Sequence, residues 1–454
     1  MGIRTNIVRS VVRKAGLFMY DYGIENGYVY IGGAEKEAFQ KINLYIIGEK
    51  IATLSTEKHP CKNCVDATGK YVLPGFIDPH VHFALGVGKN ISKDDFYTGS
   101  MEAALGGVTT YIDFLDPIKE TKELAGAFKK RSELAKDSLV DYAFHTTIAN
   151  PISAAEEIFE ESLKYGINSI KLFTTYAETD RRTFDNDIEE LLKASVKVGG
   201  KVVIHAENDE LIDHRKDILV KDHEKSRPVI TENIEVVKLA QMARETGGNL
   251  YIVHVSAGSS VALLKQNFAG ELASHQITLE SCPHYFLLNA DALSLADGYK
   301  YTMTPPIRPE KDRQLLVENV DAISTIGTDH CPYTKEQKCH TYTSEIPMGI
   351  GGIRYSFLNM YQEFGFSILD RFTSEPADAY GLKQKGSLIP GKDADIVIFD
   401  TEKKTRVSDE MSVYDKKELK GAIETVFSRG SICCKEGVCK AHHGRYVERH
   451  GCYQ

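Results

Sequence analysis

The sequence has no long apolar run, no dense basic stripe and little proline. No uninterrupted apolar stretch approaches the roughly 18 residues that a membrane-spanning helix needs, so no membrane anchor is expected. With 55 Lys and Arg against 64 Asp and Glu, the formal net charge is -9, and a nucleic-acid partner is not expected. Only 14 Pro and 36 Gly among 454 residues, with 42% hydrophobic residues, exclude collagen-like, low-complexity and disordered chains. The composition predicts a globular protein with a large core.

Cysteine is present, but without the pattern of a disulfide framework. The nine cysteines are an odd number spread over a long chain, so we expect a reducing compartment, the cytoplasm. Five of them form two groups far apart in the sequence: Cys61 and Cys64 in a CxxC, and Cys433, Cys434 and Cys439. A zinc site would follow if the two groups met, but no second CxxC supports it. Buried or surface thiols are the preferred interpretation.

The first twenty residues carry basic side chains and no acid. Arg4, Arg9, Arg13 and Lys14 give this segment the look of an organelle transit peptide. Arg13 and Lys14 interrupt what would be the apolar core of a secretory signal. A short basic lead into a first strand is the preferred interpretation, and organelle targeting is kept as the alternative.

Eight short apolar runs rich in β-branched residues follow one another in the middle of the chain. They are YVLPGFIDPHVHF (71–83), GVTTYIDFL (107–115), LVDYAFHTTI (139–148), INSIKLFTTY (167–176), KVVIHAEN (201–208), NLYIVHVS (249–256), HQITLESCPHYF (275–286) and DAISTIGTDH (321–330). Between them lie segments with helical spacing that end near glycine, such as EEIFEESLKYG and TENIEVVKLAQMARETGG. Near-continuous apolar strands suit a parallel sheet covered on both faces. Eight strand–helix repeats therefore predict an α/β fold, a (β/α)8 TIM barrel.

Strand and turn patterns also occur on both sides of this region. GYVYIGG and INLYIIGEKIATL precede residue 70, and DADIVIFD and GAIETVFSRGSICCKEGVCK follow residue 382. A few strands at each end cannot bury a core alone. We predict one small β-sandwich domain built from residues 1–70 and 382–454, beside a barrel of residues 71–381.

Polar residues stand where several barrel strands are predicted to end. His80 and His82 form an HxH, and because side chains alternate along a strand, both imidazoles project to the same side. His205, His254 and Asp329 end three other runs. The C-terminal strand ends of a TIM barrel surround one mouth, so a metal site is predicted there. Imidazole and carboxylate ligands suit Zn, Mn, Fe, Co and Ni alike.

Lys171 lies inside the predicted strand SIKLF, near these ligands. A buried lysine there must be neutral, paired or modified, because an isolated buried cation is costly. A neutral or ion-paired lysine is one interpretation. The other is carbamylation by CO2, which gives an anionic carboxylate able to bridge two metals. Four histidines favour the second, since one open catalytic site normally uses fewer ligands.

These segments together resemble the cyclic amidohydrolases of the amidohydrolase superfamily, specifically the dihydropyrimidinase and hydantoinase group. The resemblance runs from about residue 20 onward. Its motifs are PGFIDPHVHF, DDFYTGSMEAALGG, SIKLF followed by Tyr176, IHAEN, VHVS, CPHYF, TPPIRPE, GTDHCPY and KGSLIPGKDADIVIFD.

The resemblance implies two divalent metal ions per subunit, with zinc expected, and a Lys171 carboxylated by CO2. One ion would be held by His80, His82, Lys171 and Asp329, and the other by Lys171, His205 and His254. Every ligand position of the family pattern is filled.

The same resemblance assigns chemical roles around the metals. Water activated by the metals would attack the ring carbonyl, and Asp329 would carry its proton to the leaving nitrogen. Tyr176 would donate a hydrogen bond to the developing oxyanion, with a stacked loop aromatic as the alternative. Substrate contacts are expected from Tyr176, from Thr304, where the group commonly has serine, and from Met348, where it commonly has asparagine.

The resemblance implies a hydrolase that opens a dihydropyrimidine or hydantoin ring to an N-carbamoyl amino acid. Its partner would be a small cyclic amide, and the subunits would form a homodimer or homotetramer. Dihydroorotate is disfavoured, because Ala84 stands where dihydroorotases typically have an arginine. An allantoinase or another cyclic-amide hydrolase is the alternative. A non-catalytic scaffold related to dihydropyrimidinase is disfavoured by the complete ligand set.

Overall fold

Residues 19–32 and 38–450 are described by the computed structural model of the chain. The basic segment on which the targeting alternative rests lies outside these residues. Over residues 19–32 and 38–450, no helix combines the length and the apolar character needed to cross a bilayer.

Short strands lead the chain towards the barrel. They are β1 (Tyr20–Glu25), β2 (Tyr28–Tyr30), β3 (Phe39–Lys41), β4 (Asn43–Ile47), β5 (Lys50–Ser55), β6 (Cys61–Asp66) and β7 (Tyr71–Pro74). Four of them form a sheet in the order β5-β4-β1-β6. Alternate residues of β4, Leu44 and Ile46, enter a buried cluster with Ile24 of β1. This is the two-residue period of a strand that buries one face.

The barrel strands follow, interrupted by one small hairpin. They are β8 (Phe76–Asp78), the hairpin β9 (Gly86–Val87) and β10 (Asn90–Ile91), then β11 (Val108–Phe114), β12 (Asp141–Thr147), β13 (Ser169–Phe173), β14 (Lys201–His205), β15 (Leu250–Ile252), β16 (Ile277–Ser281) and β17 (Thr325–Ile326). Apart from the hairpin they form an eight-stranded sheet in sequence order, and its neighbouring strands are parallel. A parallel bridge between Val81 and His330 brings the two edges together. The predicted (β/α)8 barrel is confirmed.

Helices cover the outside of this sheet. They are α1 (Phe96–Leu105), α2 (Leu124–Ala135), α3 (Ala155–Leu163), α4 (Asp185–Val198), α5 (His223–Ser226), α6 (Val229–Thr246), α7 (Gly258–Asn267), α8 (Ala269–Ala273), α9 (Pro283–Leu287), α10 (Glu310–Glu318), α11 (Lys335–Lys338), α12 (Ser356–Phe364) and α13 (Ser374–Tyr380). The two helices predicted from spacing appear as α3 and α6. The α6 helix ends at Gly247, whose φ of 74° is the left-handed conformation that favours glycine.

The chain returns to the small domain with four antiparallel strands, of which the first two are long. They are β18 (Ile396–Arg406), β19 (Glu418–Ser428), β20 (Ser431–Lys435) and β21 (Val438–Cys439). These strands join earlier ones in a sheet of order β21-β20-β19-β18-β7-β2-β3. Ile396, Ile398 and Phe427 of this sheet share one buried cluster with Leu44 and Ile46 of the four-stranded sheet. The β-sandwich from both ends of the chain is thereby confirmed.

The predicted run at residues 71–83 contains two strands that belong to different domains. Tyr71–Pro74 pairs with β18 in the sandwich, whereas Phe76–Asp78 pairs with β11 in the barrel. Gly75 lies between them, where a Cβ atom would come within 2.2 Å of the Thr109 hydroxyl oxygen. The crossing therefore requires glycine. The boundaries 1–70, 71–381 and 382–454 stay predictions, and we propose that the first one falls at Gly75.

A buried ion cluster joins the base of the barrel to the sandwich. Asp141 is the first residue of β12, and its carboxylate accepts hydrogen bonds from Lys385 at 2.6 Å and from Arg429 at 2.9 Å. The Lys385 ammonium also lies 2.7 Å from Asp395 and 2.9 Å from Asp393. Each buried charge in this cluster has an opposite charge beside it.

The two cysteine groups lie in different sheets. Cys61 and Cys64 are on β6 of the four-stranded sheet, whereas Cys433, Cys434 and Cys439 are on β20 and β21 of the other. Among the described residues, no group with metal-site spacing combines cysteines from both. The eight described cysteines are free thiols, in line with the preferred interpretation.

Candidate metal centre and active site

Six side chains predicted as metal ligands line one cavity at the carboxyl ends of the barrel strands. His80 and His82 follow β8, Lys171 is in β13, and His205 ends β14. His254 and Asp329 stand just beyond β15 and β17. Strand order and parallel direction bring these residues to one mouth although up to 249 positions separate them.

His80, His82 and Asp329 are the tightest part of the group. The Nε2 atoms of the two histidines are 3.2 Å apart, and the Asp329 Oδ1 lies 3.3 Å from His80 Nε2 and 3.0 Å from His82 Nε2. Ligands bound at about 2.0–2.1 Å in a tetrahedron are separated by about 3.3 Å. The three atoms already have the spacing of one metal's ligands.

Glu280 determines which nitrogen of His80 faces the cavity. Its Oε1 lies 2.7 Å from His80 Nδ1, and its Oε2 accepts a hydrogen bond from the Tyr251 hydroxyl at 2.8 Å. The pairing leaves His80 Nε2 for a ligand, as carboxylate partners of metal-binding histidines do. Sequence reasoning did not identify Glu280. Its signal was an acidic residue inside the buried run ITLES.

His205 and His254 form the second part of the group. Their ring centroids are 4.6 Å apart, and the His254 ring lies 5.4 Å from that of His80. His205 Nε2 lies 2.7 Å from the Glu207 carboxylate, which also pairs with Arg227 at 2.7 Å. Glu207 was also missed, although it stands two residues after His205 in IHAEN.

Lys171 lies between the two parts, buried at 1% exposure. Its Nζ is 5.2 and 5.5 Å from the ring centroids of Phe173 and Phe114. Within residues 19–32 and 38–450, no carboxylate lies within ion-pair distance of this ammonium. Burial lowers the pKa of Lys171 to about 8, so a sizeable fraction is the neutral amine near pH 7–8.

The other ionisable groups hold the protonation states that metal ligands need. Burial lowers the pKa of His82, of His205 and of His254 below the ordinary value for histidine. Burial alone would raise the pKa of Asp329, but the nearby His80, His82 and Lys171 hold it well below its usual range. Neutral imidazoles and an ionised carboxylate are the forms that bind a metal.

Unpartnered nitrogens test whether the histidines fit a metal. His82 Nδ1 and His254 Nδ1 have no hydrogen-bond partner in the described part of the chain, and because His82 already presents Nε2 beside Asp329, His254 Nδ1 is the one left for a ligand. Buried polar atoms are rarely left in this state, because each costs about 1–3 kcal/mol. Four imidazoles, a carboxylate and an unpaired lysine amine fit a binuclear centre of nitrogen and oxygen ligands.

Three site residues adopt a backbone conformation that side chains other than glycine rarely occupy. Tyr176, His254 and Asp329 have φ of 71°, 40° and 50°. Such residues cost of order 1–3 kcal/mol each and persist when the surroundings hold them there. The turns direct these side chains into the cavity, which is why β15 and β17 end before the residues predicted to terminate them.

Tyr176 stands at the edge of the metal residues. Its hydroxyl lies 2.9 Å from the Thr304 Oγ1, and its backbone N–H donates to Asp209 at 2.9 Å. Its ring centroid is 5.4 Å from that of His205. Burial raises the pKa of Tyr176, so the phenol keeps its proton and can donate it in a hydrogen bond.

A cavity of about 490 Å³ opens above these groups. It is lined by all six predicted ligands and by Tyr176, Thr304 and Met348, the three residues expected to contact substrate. Pockets of about 300–1,000 Å³ hold small molecules. The structure thus brings every predicted site residue to one cavity.

Comparisons with known proteins identify the family. Residues 71–433 match the amidohydrolase family. The D-phenylhydantoinase of Escherichia coli O1:K1 is 30% identical over 460 residues, which cover 94% of this chain and 97% of that protein. The D-hydantoinase of Ralstonia pickettii is 30% identical over 461 residues, covering 94% and 99%.

Solved structures show the same architecture. The dihydropyrimidinase from Brevibacillus agri superimposes with a TM-score of 0.85 at 28% identity, covering 95% of this chain and 99% of that one. The D-hydantoinase (dihydropyrimidinase) from Thermus sp. gives 0.86 at 28% identity, covering 95% and 100%. This chain belongs to the amidohydrolase family, in its hydantoinase group.

Proposed function

We propose that this protein hydrolyses one carbon–nitrogen bond of a cyclic amide, a dihydropyrimidine or a hydantoin, and releases an N-carbamoyl amino acid. The observation that carries the proposal is the convergence of six ligand side chains on one small-molecule cavity. The hydantoinase relatives support the choice of ring.

Two divalent metal ions fit the six residues, and zinc is the proposed metal. His80, His82 and Asp329 would hold one ion, His205 and His254 the other, and Lys171 would contribute to both. When bound, the ions would supply Lewis-acid activation of the carbonyl and of water.

Lys171 is proposed to carry a carboxylate formed with CO2. The neutral amine attacks the carbon of CO2, a carbon–nitrogen bond forms, and one proton leaves, so that the cation is replaced by an anion. The lowered pKa of Lys171 and its lack of a carboxylate partner in the described chain support this. Carbon-13 NMR of protein equilibrated with labelled bicarbonate should show a carbamate signal that is absent from Lys171→Ala.

Asp329 is proposed as the proton carrier. Its depressed pKa keeps it ionised, so that it can accept the proton of the attacking water. It then delivers this proton to the ring nitrogen as the carbon–nitrogen bond breaks. One water is consumed, and the new carboxylate and the ureido group end on one product.

Tyr176 and Thr304 are proposed to bind the ring carbonyl, and Met348 to border the ring. The protonated Tyr176 hydroxyl, 2.9 Å from the Thr304 hydroxyl, is free to turn towards an oxyanion. Thr304 retains the hydroxyl that a serine would supply at this position.

Turnover by the metal-loaded protein tests the proposal. Dihydrouracil, hydantoin, 5-substituted hydantoins and allantoin should be compared, with metal content measured on the same sample. We expect ring opening of a dihydropyrimidine or hydantoin and about two metal ions per chain, with both lost in His80→Ala. Metal-loaded protein that opens none of these rings would refute the function, and turnover of allantoin alone would reassign it.

Assembly and location are part of the proposal too. A homodimer or homotetramer predicts a mass of at least two chains by light scattering at micromolar concentration. The cytoplasmic location rests on the scattered cysteines.

A further inference from the structure

The cavity above the metal residues has an uneven distribution of charge at its rim. Its acidic lining residues are already paired: Asp116 lies 2.5 Å from Lys130, and Asp213 lies 2.7 Å from Arg215. Glu178 is 3.9 Å from His214. Of these three carboxylates, Asp116 and Asp213 have a Lys or Arg partner in the described chain, and Glu178 has only the contact with His214.

Two cations of this rim, Arg181 and the exposed Lys216, have no ion pair in the described chain. Arg181 is the half-buried one, and it borders the cavity. Over the described parts of the chain, its guanidinium has no ion pair and no side-chain hydrogen bond. Guanidinium groups held away from water are normally paired with a carboxylate or phosphate.

The neighbours of Arg181 show that this exposure to the cavity is specific. Asp180 turns to Lys119 and Asn150, and Arg182 pairs with Glu210 at 2.9 Å. Neither borders the cavity. Of three consecutive charged residues, the two that point elsewhere have partners, and the one that points inward has none.

The position of Arg181 indicates which part of a substrate it would meet. Its backbone N–H donates to the Tyr176 carbonyl at 3.2 Å, so both residues belong to one loop. Tyr176 lies towards the metal residues and Arg181 follows it along the rim. The wall of the same cavity includes Leu85, Ile212 and Ile346. A ring held at Tyr176 and Asp329 would share this cavity with the apolar wall and with the guanidinium.

We propose that the physiological substrate carries an anionic group, a carboxylate or a comparable oxyanion, on the substituent of its ring, and that Arg181 binds this anion. The inference rests on the proposed ring-opening activity and narrows its substrate class. Lys216, exposed on the same lining, adds positive charge at the outer end.

A pair of substrates that differ only in charge tests this. Racemic 5-(2-carboxyethyl)hydantoin and its uncharged analogue 5-(2-carbamoylethyl)hydantoin have nearly the same shape. For the unmodified protein we expect kcat/KM to be about 10- to 100-fold higher for the anion, the range of one charged hydrogen-bonded pair. The preference should arise in KM and weaken with added salt.

Arg181→Gln should abolish the preference by raising KM for the anion alone, and Arg181→Lys should retain part of it. Arg215→Gln is the matched control, because Arg215 borders the same cavity but is already paired with Asp213. It should keep the preference.

Binding of the two ring-opened products, N-carbamoylglutamate and N-carbamoylglutamine, gives a readout that does not need turnover. Calorimetry should show tighter binding of the anion, dependent on Arg181. Equal KM for the two hydantoins and equal binding of the two products would overturn the inference while leaving ring opening intact. A fall in kcat/KM of Arg181→Gln that is equal for both substrates would also overturn the inference. Failure to open any hydantoin or dihydropyrimidine would count instead against the proposed function.

Discussion

The mouth and the base of the barrel both bury several ionisable side chains, but their charges are compensated in different ways. At the base, Lys385 and Arg429 stand against Asp141, Asp393 and Asp395, and the ion pairs of Lys385 measure 2.6–2.9 Å. At the mouth, Lys171 has no carboxylate partner in the described chain, and two histidine nitrogens have no hydrogen-bond partner there.

The base shows that spacing alone does not make a metal site. Asp141, Asp393 and Asp395 have oxygens close enough together to hold an ion. Lys385 occupies that position, and its nearness to three carboxylates raises the pKa of Lys385 above its ordinary value despite burial. At the mouth burial lowers the pKa of Lys171 instead. The buried Lys385, which has carboxylate partners, stabilises the fold, whereas Lys171 has none in the described chain and lies among the predicted metal ligands.

The Lys171→Ala variant should show the largest difference between the mouth and the base of the barrel, because it should affect activity and not folding stability. Lys171→Ala should lower kcat/KM by about 10⁴-fold or more, the scale of losing one member of a catalytic unit. The melting temperature of the metal-free protein should hold or rise, because a poorly solvated cation is gone. Metal content should fall, and short-chain carboxylates should restore part of the activity. Activity close to that of the unmodified protein would contradict the assignment of Lys171.

Removing Lys385 should have the opposite outcome. Lys385→Met leaves Asp141 and Asp395 buried without one of their counter-ions, which costs about 3–5 kcal/mol of folding stability. The thermal midpoint should fall, while kcat per folded, metal-loaded molecule stays unchanged. Lys193→Met is the control, since this exposed lysine pairs with Glu189 and Glu190 at the surface and should shift nothing. If Lys385→Met kept its melting temperature, the base would not be the stabilising cluster described.

Removing the Tyr176 hydroxyl should have a smaller kinetic effect than removing Lys171. Losing one oxyanion donor costs about 100- to 1,000-fold in kcat, roughly 2.7–4 kcal/mol. Tyr176→Phe should therefore be slow yet measurable, with metal content unchanged, whereas the exposed Tyr97→Phe should be unaffected. A Tyr176→Phe variant with normal kcat and altered KM would move the tyrosine to ground-state binding.

The pH dependence of stability should show the smallest effect and should report only on the base. Because the folded pKa of Lys385 is raised above its ordinary 10.5, its stabilisation is complete below pH 10.5 and declines as the pH rises further. The pKa of Asp393 is lowered, so its contribution is present above pH 3.8 and is lost as the pH falls below that. The difference in melting temperature between the unmodified protein and Lys385→Met should be constant between pH 5 and 9 and should shrink above about pH 10.5. A difference that grew with alkaline pH would contradict this sign.

Much of the architecture could be read from local sequence patterns. Eight apolar runs separated by helical spacing were sufficient for the barrel, because parallel strands covered on both faces must be apolar throughout. The strand limits were less accurate. The run at 71–83 divides at Gly75, and the last barrel strand is only Thr325–Ile326, since the chain turns at Asp329.

The residues around the ligands were harder to predict than the ligands themselves. His80 and His82 can be identified from their HxH spacing, whereas Glu280 contacts His80 from 200 positions away in the sequence. The same holds for Arg181, whose significance depends on Asp180 and Arg182 having partners elsewhere.

The sequence by itself determined the residue types, the strand order and the end of the barrel at which the ligands stand, because the order of residues along a strand and the direction of a parallel barrel follow from the chain itself. Only the tertiary structure decided which buried charges are paired. Lys171 and Lys385 are both buried lysines, and the residues next to them in sequence do not show whether a carboxylate reaches either ammonium. Asp141 comes to Lys385 from 244 positions away, whereas within the described chain no carboxylate comes within ion-pair distance of Lys171. Since electrostatic compensation depends on distance in space, the difference between a structural and a chemical lysine exists only in the folded chain.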